Sequence, residues 1–258
     1  MRLPETMNMR DFLTALLLML SGTAIAADYG SLQIDSGEQQ VALIELYTSE
    51  GCSSCPPADK WMTALKERDG LWRDYAPIAL HVDYWNYTGW TDRFSKQRYT
   101  SRQQQYVRDG NVRVAYTPGF MANGEEWRGW FSGDALTMQN PPVGNLSRGL
   151  KGDSIALRFD PIAEVDEKLV VNIAILGMQL VSDVQAGANN GKELKHDFVA
   201  LNVQTIDLES SISGFRALTQ LDDIDSETNE LALVAWVAAA GNQAPLQTVG
   251  GFLSSSND

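Results

Sequence analysis

Val41 to Thr48 reads VALIELYT, an almost unbroken apolar run that predicts a strand buried on both faces. A turn sequence, SEGCSSCPP, separates it from Ala58, Trp61, Met62 and Leu65. Those apolar positions recur at helical spacing and predict a helix ending near Asp69-Gly70. Ile78 to Tyr84 predicts a second strand, and Thr91 to Asp109, polar with Phe94, Tyr99, Tyr106 and Val107 interspersed, a helical region. Asn111 to Tyr116 leads into Thr117-Pro118-Gly119. Asn123-Gly124 is a hairpin signal between Phe120-Met121 and Trp127-Arg128-Gly129-Trp130. The first half therefore alternates strand and helix, with connections long enough for parallel crossovers, which predicts an α/β fold.

Near residue 140 the pattern changes. QNPPVGNLSRGLKGDS reads as a connecting segment, and beyond it Ser154–Phe159, Lys168–Leu176, Phe198–Ile206, Leu231–Val237 and Leu246–Phe252 are strand-like. The expected division is a first domain over 27–140 and a β-rich, sandwich-like part over 150–258. Whether the second part stands alone or extends the first sheet stays open.

Phe12 to Leu20, FLTALLLML, is too short for a comfortable membrane span. It is followed by a small-x-small pair, Ala24 and Ala26. This predicts a signal peptide over 1–26 and a mature protein that is periplasmic or secreted, without stable membrane insertion. Glu5 and Asp11 dilute the positive charge of the leading segment, so translation from Met7 or Met9 fits a leader better. With 33 acids against 20 bases, the formal charge of −13 repels phosphate backbones and excludes nucleic acid as an expected partner.

The two cysteines, Cys52 and Cys55, are the chain's only ones and lie three positions apart, after a buried strand and before a helix. Amide groups at a helix start, with the helix dipole, stabilise a thiolate, and the thiolate is the nucleophile of disulfide exchange. Three readings stay open. The pair is a redox site taking protein or small thiol and disulfide substrates with no cofactor. It is a soft metal site, for example for Cu(I), with Met62 or Met121 as thioether candidates. Or it is a structural disulfide in a binding module whose surface is the aromatic loop of Asp83, Tyr84, Trp85, Tyr87 and Trp90. Thr117-Pro118 is a candidate cis peptide. His81, inside an apolar strand, reads as a satisfied core histidine, and His196 as exposed.

GCSSC between VALIELYTSE and PPADKWMTAL, followed by HVDYWNYTGWTDRFSKQRY and VAYTP, resembles an exported thioredoxin-like family catalogued as a domain of unknown function, number twelve twenty-three. The resemblance implies a thioredoxin-like N-terminal fold and a β-rich C-terminal part. By similarity to thioredoxins, Cys52 is then the attacking thiol, Cys55 the resolving thiol and Pro118 the cis proline, with the backbone of Thr117 receiving an incoming chain. Glu45 is the candidate for the buried acid of that pattern, but it lies one position from the expected offset. The pattern also departs at Gly51, where an aromatic residue is usual, and at Ser53-Ser54.

Overall fold

The computed structural model describes residues 33–222, 228 and 230–253; the leader expected over 1–26 lies outside them. The strands are β1 (Ile34–Asp35), β2 (Ala42–Thr48), β3 (Tyr75–His81), β4 (Gly119–Ala122), β5 (Glu125–Glu126), β6 (Gly144–Lys151), β7 (Ser154–Pro161) and β8 (Leu169–Gly177). They continue as β9 (Leu180–Asp183), β10 (Glu193–His196), β11 (Val199–Asp207), β12 (Glu209–Ser211), β13 (Gly214–Gln220), β14 (Leu231–Ala239) and β15 (Gln247–Leu253). Three helices punctuate the first half: α1 (Pro56–Thr63), α2 (Gln97–Arg108) and α3 (Gly129–Ser132).

β2, α1 and β3 form the parallel unit that the apolar runs predict, with β2 and β3 in register from Ala42↔Tyr75 to Thr48↔His81. β4 adds antiparallel on the other side of β2, and the Asn123-Gly124 turn returns it to β5. Both turn residues have positive φ, which the Asn-Gly pair accommodates at little cost.

The second half overturns the expected fold class. One mixed sheet of eight strands, ordered β15-β14-β8-β11-β3-β2-β4-β5, runs through both halves. Among the described residues, strand makes up 43% and helix 16%. The protein is mostly β, and the α/β, thioredoxin-like N-terminal domain followed by a sandwich-like part is corrected accordingly. The physical reason lies in β8 and β14, which are apolar on both faces. Ala174, Leu176, Val234 and Trp236 join the core of the first half. Val171, Ile173, Leu233, Ala235 and Val237 pack instead on a second sheet, ordered β1-β6-β7-β13-β12. Strands that serve two cores cannot be detached as a separate unit.

The seam between the halves is narrow. β11 pairs β3 in parallel through Val199↔Ala79, then a register shift between Ala200 and Asn202 carries it away. α2 and the residue before it supply donors there: Tyr99 Oη donates to the Ala200 carbonyl at 2.9 Å, Lys96 Nζ to Leu201 at 2.5 Å and Arg98 Nη1 to Val203 at 2.6 Å. These bonds satisfy carbonyls that would otherwise lack a ladder partner.

Candidate functional site

The site is built where β2 hands over to α1. The chain turns at Ser49 through Cys55: the Cys52 amide donates to the Ser49 carbonyl at 3.1 Å and the Cys55 amide to the Cys52 carbonyl at 3.3 Å. Cys55 is the residue immediately before α1, and Pro56 and Pro57 occupy the first turn, where absent N–H groups cost little. Cys52 and Cys55 are joined as a disulfide with Cα atoms 5.4 Å apart, inside the usual range. The tip of the turn, Ser53 and Ser54, faces solvent, but the sulfur-bearing residues do not: Cys52 is 1% exposed and Cys55 0%.

Two segments pack on this turn. A Cβ on Gly51 would lie 2.9 Å from Trp85 Cβ, so only glycine lets the aromatic loop approach. The same Trp85 donates from Nε1 to Thr117 Oγ1 at 2.7 Å, which ties the cysteine turn to the Thr117–Pro118 peptide, and that peptide is cis. The aromatic loop is thus partly structural: Trp85 packs on the turn, while Tyr87 is 83% exposed. The second segment is the β9–β10 hairpin. Asn189, fully buried in its connection, donates from Nδ2 to the Glu50 carbonyl at 2.8 Å and to the Cys52 carbonyl at 3.0 Å.

Beneath the turn lies a buried charge cluster that periodicity does not foresee. Asp92 accepts from the Glu50 amide at 2.9 Å, the Phe94 amide at 2.9 Å and His81 Nδ1 at 2.7 Å. Trp90 Nε1 donates to Glu50 Oε2 at 2.6 Å, and Thr48 Oγ1 to Asp59 Oδ1 at 2.8 Å. His196, expected at the surface, is 2% exposed. Its Nε2 is 3.5 Å from Glu50 Oε1 and its Nδ1 3.9 Å from Asp59 Oδ2. Burial alone depresses the His81 pKa, but the Asp92 carboxylate more than offsets this and raises it. Burial pushes Asp92 the other way, and His81 holds it below the usual carboxylate range. Glu50 is lowered too, against the upward push of burial, by the His196 and Trp90 donors. Asp59 is raised, because burial outweighs His196 and His81.

Glu45 sits elsewhere. It accepts from Arg102 Nε at 2.6 Å, Tyr106 Oη at 2.5 Å and Tyr47 Oη at 2.9 Å, all on the α2 side. Thr48, of opposite parity on β2, meets α1 through Asp59. Glu45 therefore faces away from the helix that follows the cysteines. The carboxyl on the helix that follows them is Asp59, four positions after Cys55; its i, i+4 spacing and apolar surroundings are a readable signal. Met62 and Met121 are buried in the apolar core. Among the described residues, no group of three or more His, Cys, Asp and Glu is placed to hold a metal ion. Nor is any helix there long and apolar enough to cross a membrane.

A family model described as "Protein of unknown function (DUF1223)" matches residues 43–238, which takes in the cysteine turn, the cis peptide, the charge cluster and most of the second half. The chain belongs to this family. No curated protein matches it. Among solved structures, the chain is similar to protein AGR_C_4864 from Agrobacterium tumefaciens, at 24% identity and a TM-score of 0.59, over 85% of this chain and 97% of that one. It is also similar to HBP35 of Porphyromonas gingivalis, at 13% identity and a TM-score of 0.55, over 84% of this chain and 76% of that one. At these identities the likeness speaks for the fold of this DUF1223 member.

Proposed function

We propose that the protein is an exported thiol–disulfide oxidoreductase acting through Cys52 and Cys55. The observation that carries this reading is a disulfide closed across the turn that enters α1, in a chain with no other cysteine. A substrate thiolate attacks Cys52 Sγ, the intramolecular bond breaks, and Cys55 leaves as a thiolate. A second substrate thiol then attacks the mixed disulfide, which releases an oxidised substrate and the Cys52 thiolate. The reverse sequence reduces a substrate disulfide. Asp59, one helical turn from Cys55 and held toward its neutral form by burial, is the carboxyl suited to exchange a proton with the Cys55 sulfur.

The test is Cys55→Ala, which leaves Cys52 unable to be resolved. Mixed disulfides accumulate at Cys52 in cells, visible as adducts on non-reducing gels, and vanish in Cys52→Ala. Absence of adducts leaves the second reading, a structural disulfide, which the burial of both cysteines favours.

That burial makes access a separate, measurable step. Asn189 contributes two hydrogen bonds to the cover, and a net loss of about 1–2 kcal/mol on their removal corresponds to about a tenfold faster opening. Asn189→Ala therefore speeds reduction of the disulfide by dithiothreitol about tenfold, followed by thiol labelling. An unchanged rate means that the hairpin does not gate the pair.

A further inference from the structure

Away from the cysteines, a trough of about 380 Å³ opens between the exposed side of α2 and residues of β8, β11 and β14. Its helical wall is Arg98, Arg102, Gln105 and Arg108, and its floor includes Asn172 and Trp236. Three arginines line it and no Asp or Glu does, in a chain with 33 acids and 20 bases. Such a local reversal of sign draws anions out of a repulsive field.

The arginines are not equivalent. Arg102 is committed: Nε donates to Glu45, Nη1 to Gln243 Oε1, and Nη2 to the Gln243 carbonyl at 3.2 Å. Arg98 uses Nη1 alone, on Asn202 Oδ1 at 2.9 Å and the Val203 carbonyl. Arg108 uses Nε and Nη2, both on Gln105 Oε1. Nε and Nη2 of Arg98 and Nη1 of Arg108 therefore have no acceptor among the described residues. Of the described acids near it, Glu45 is paired with Arg102, Asp109 accepts from Gln105 Nε2, and Asp222 accepts from Asn202.

At 1.5 Å of rise per residue, Arg98 and Arg108 leave α2 about 15 Å apart along its axis. Uncommitted guanidinium donors thus flank the two ends of the trough, while its lining between them includes the side chains of Val170 and Val203; the Trp236 ring beneath is covered by the Arg102 guanidinium, 5.1 Å from its centroid. Guanidinium forks match carboxylates, and an apolar lining matches methylene groups. We propose that this trough binds a linear organic dicarboxylate, one carboxylate on Arg98, the other on Arg108, and the methylene chain on the lining between them. The site is independent of the cysteine chemistry.

Calorimetric titration of the full chain at low ionic strength tests it with suberate, octanoate and inorganic phosphate. Suberate binds at one site, and octanoate, of equal length but with one carboxylate fewer, binds at least tenfold more weakly. Arg98→Ala and Arg108→Ala each weaken suberate about tenfold. Arg98→Ala also removes bonds to β11, so Arg108→Ala, whose hydrogen bonds reach only Gln105, carries the test should the first variant fail to fold. The proposal is overturned if suberate does not bind, if octanoate or phosphate binds as tightly, or if Arg108→Ala leaves suberate affinity unchanged.

Discussion

Arg102→Met lowers the free energy of unfolding by about 3–5 kcal/mol, the usual effect of removing one partner from a buried ion pair. Glu45 is 1% exposed on the central strand of the first half. The Arg102 guanidinium is its only cationic partner among the described residues. Without it, the two tyrosine hydroxyls remain as donors, which is too little to solvate a full charge in the core. The pairing also explains the phenols: burial, with Glu45 beside them, pushes Tyr47 and Tyr106 well above the ordinary phenol value, so both stay protonated donors. Urea unfolding of the oxidised protein at neutral pH measures the loss. The double variant Arg102→Met, Glu45→Leu recovers most of it, because no uncompensated charge is left. A loss under about 1 kcal/mol for Arg102→Met would show that water reaches Glu45.

Stability falls as pH rises above neutrality, and His81→Phe diminishes that fall. The folded pKa of His81 is raised, so its contribution is fully present below its unfolded value of about 6.5 and is lost as pH rises through the folded value. Asp59, also raised, begins to lose its contribution at lower pH, as pH rises above its unfolded value of about 4. Asp92 and Glu50 are lowered, so theirs is present above about pH 4 and is lost as pH falls through their folded values. Stability therefore peaks on the mildly acidic side of neutrality. His81→Phe also leaves Asp92 buried with only amide donors, and about 3 kcal/mol is lost at the optimum. Urea midpoints from pH 5 to 9 decide the matter; an undiminished alkaline fall in His81→Phe would place its origin elsewhere.

The first half of this fold was readable because its elements are local. Apolar runs mark β2 and β3, helical spacing marks α1, a polar stretch with interspersed aromatics marks α2, and Asn-Gly marks the β4–β5 turn; α1 ends at Thr63, short of Asp69, and α2 begins at Gln97, six residues after Thr91. In the second half the runs at β7, β8, β11, β14 and β15 were visible, but their partners were not. Continuous apolar strands announce burial on two faces without saying against what, and the shared sheet is decided by contacts such as Val199 with Ala79. β6 reads as connection in the sequence because Gly, Asn, Ser and Arg dilute it. Its inward side still carries Leu146 and Leu150, with Arg148 buried between them and its pKa pushed down to about 10 by that burial. The site divides the same way. The cysteine turn and the Thr117–Pro118 peptide are short motifs with their own signatures. The charge cluster brings His196 and Asn189 onto Glu50 from far along the chain, and neither residue carries a local mark of being inside. Glu45 misled because a lone acid on a buried strand announces a partner but not its identity.

The seam at Val199 and Ala79 sets a schedule for synthesis. The edge of β3 that Val199 closes waits on a segment made about 120 residues later. Until then an apolar strand with open amides and carbonyls is on offer to any neighbouring chain, the situation in which non-local pairing is slow and aggregation competes. A nascent chain of this protein thus needs sheltering for most of its length, and a fragment ending at residue 140, which never gains its closing strand, is the form expected to precipitate.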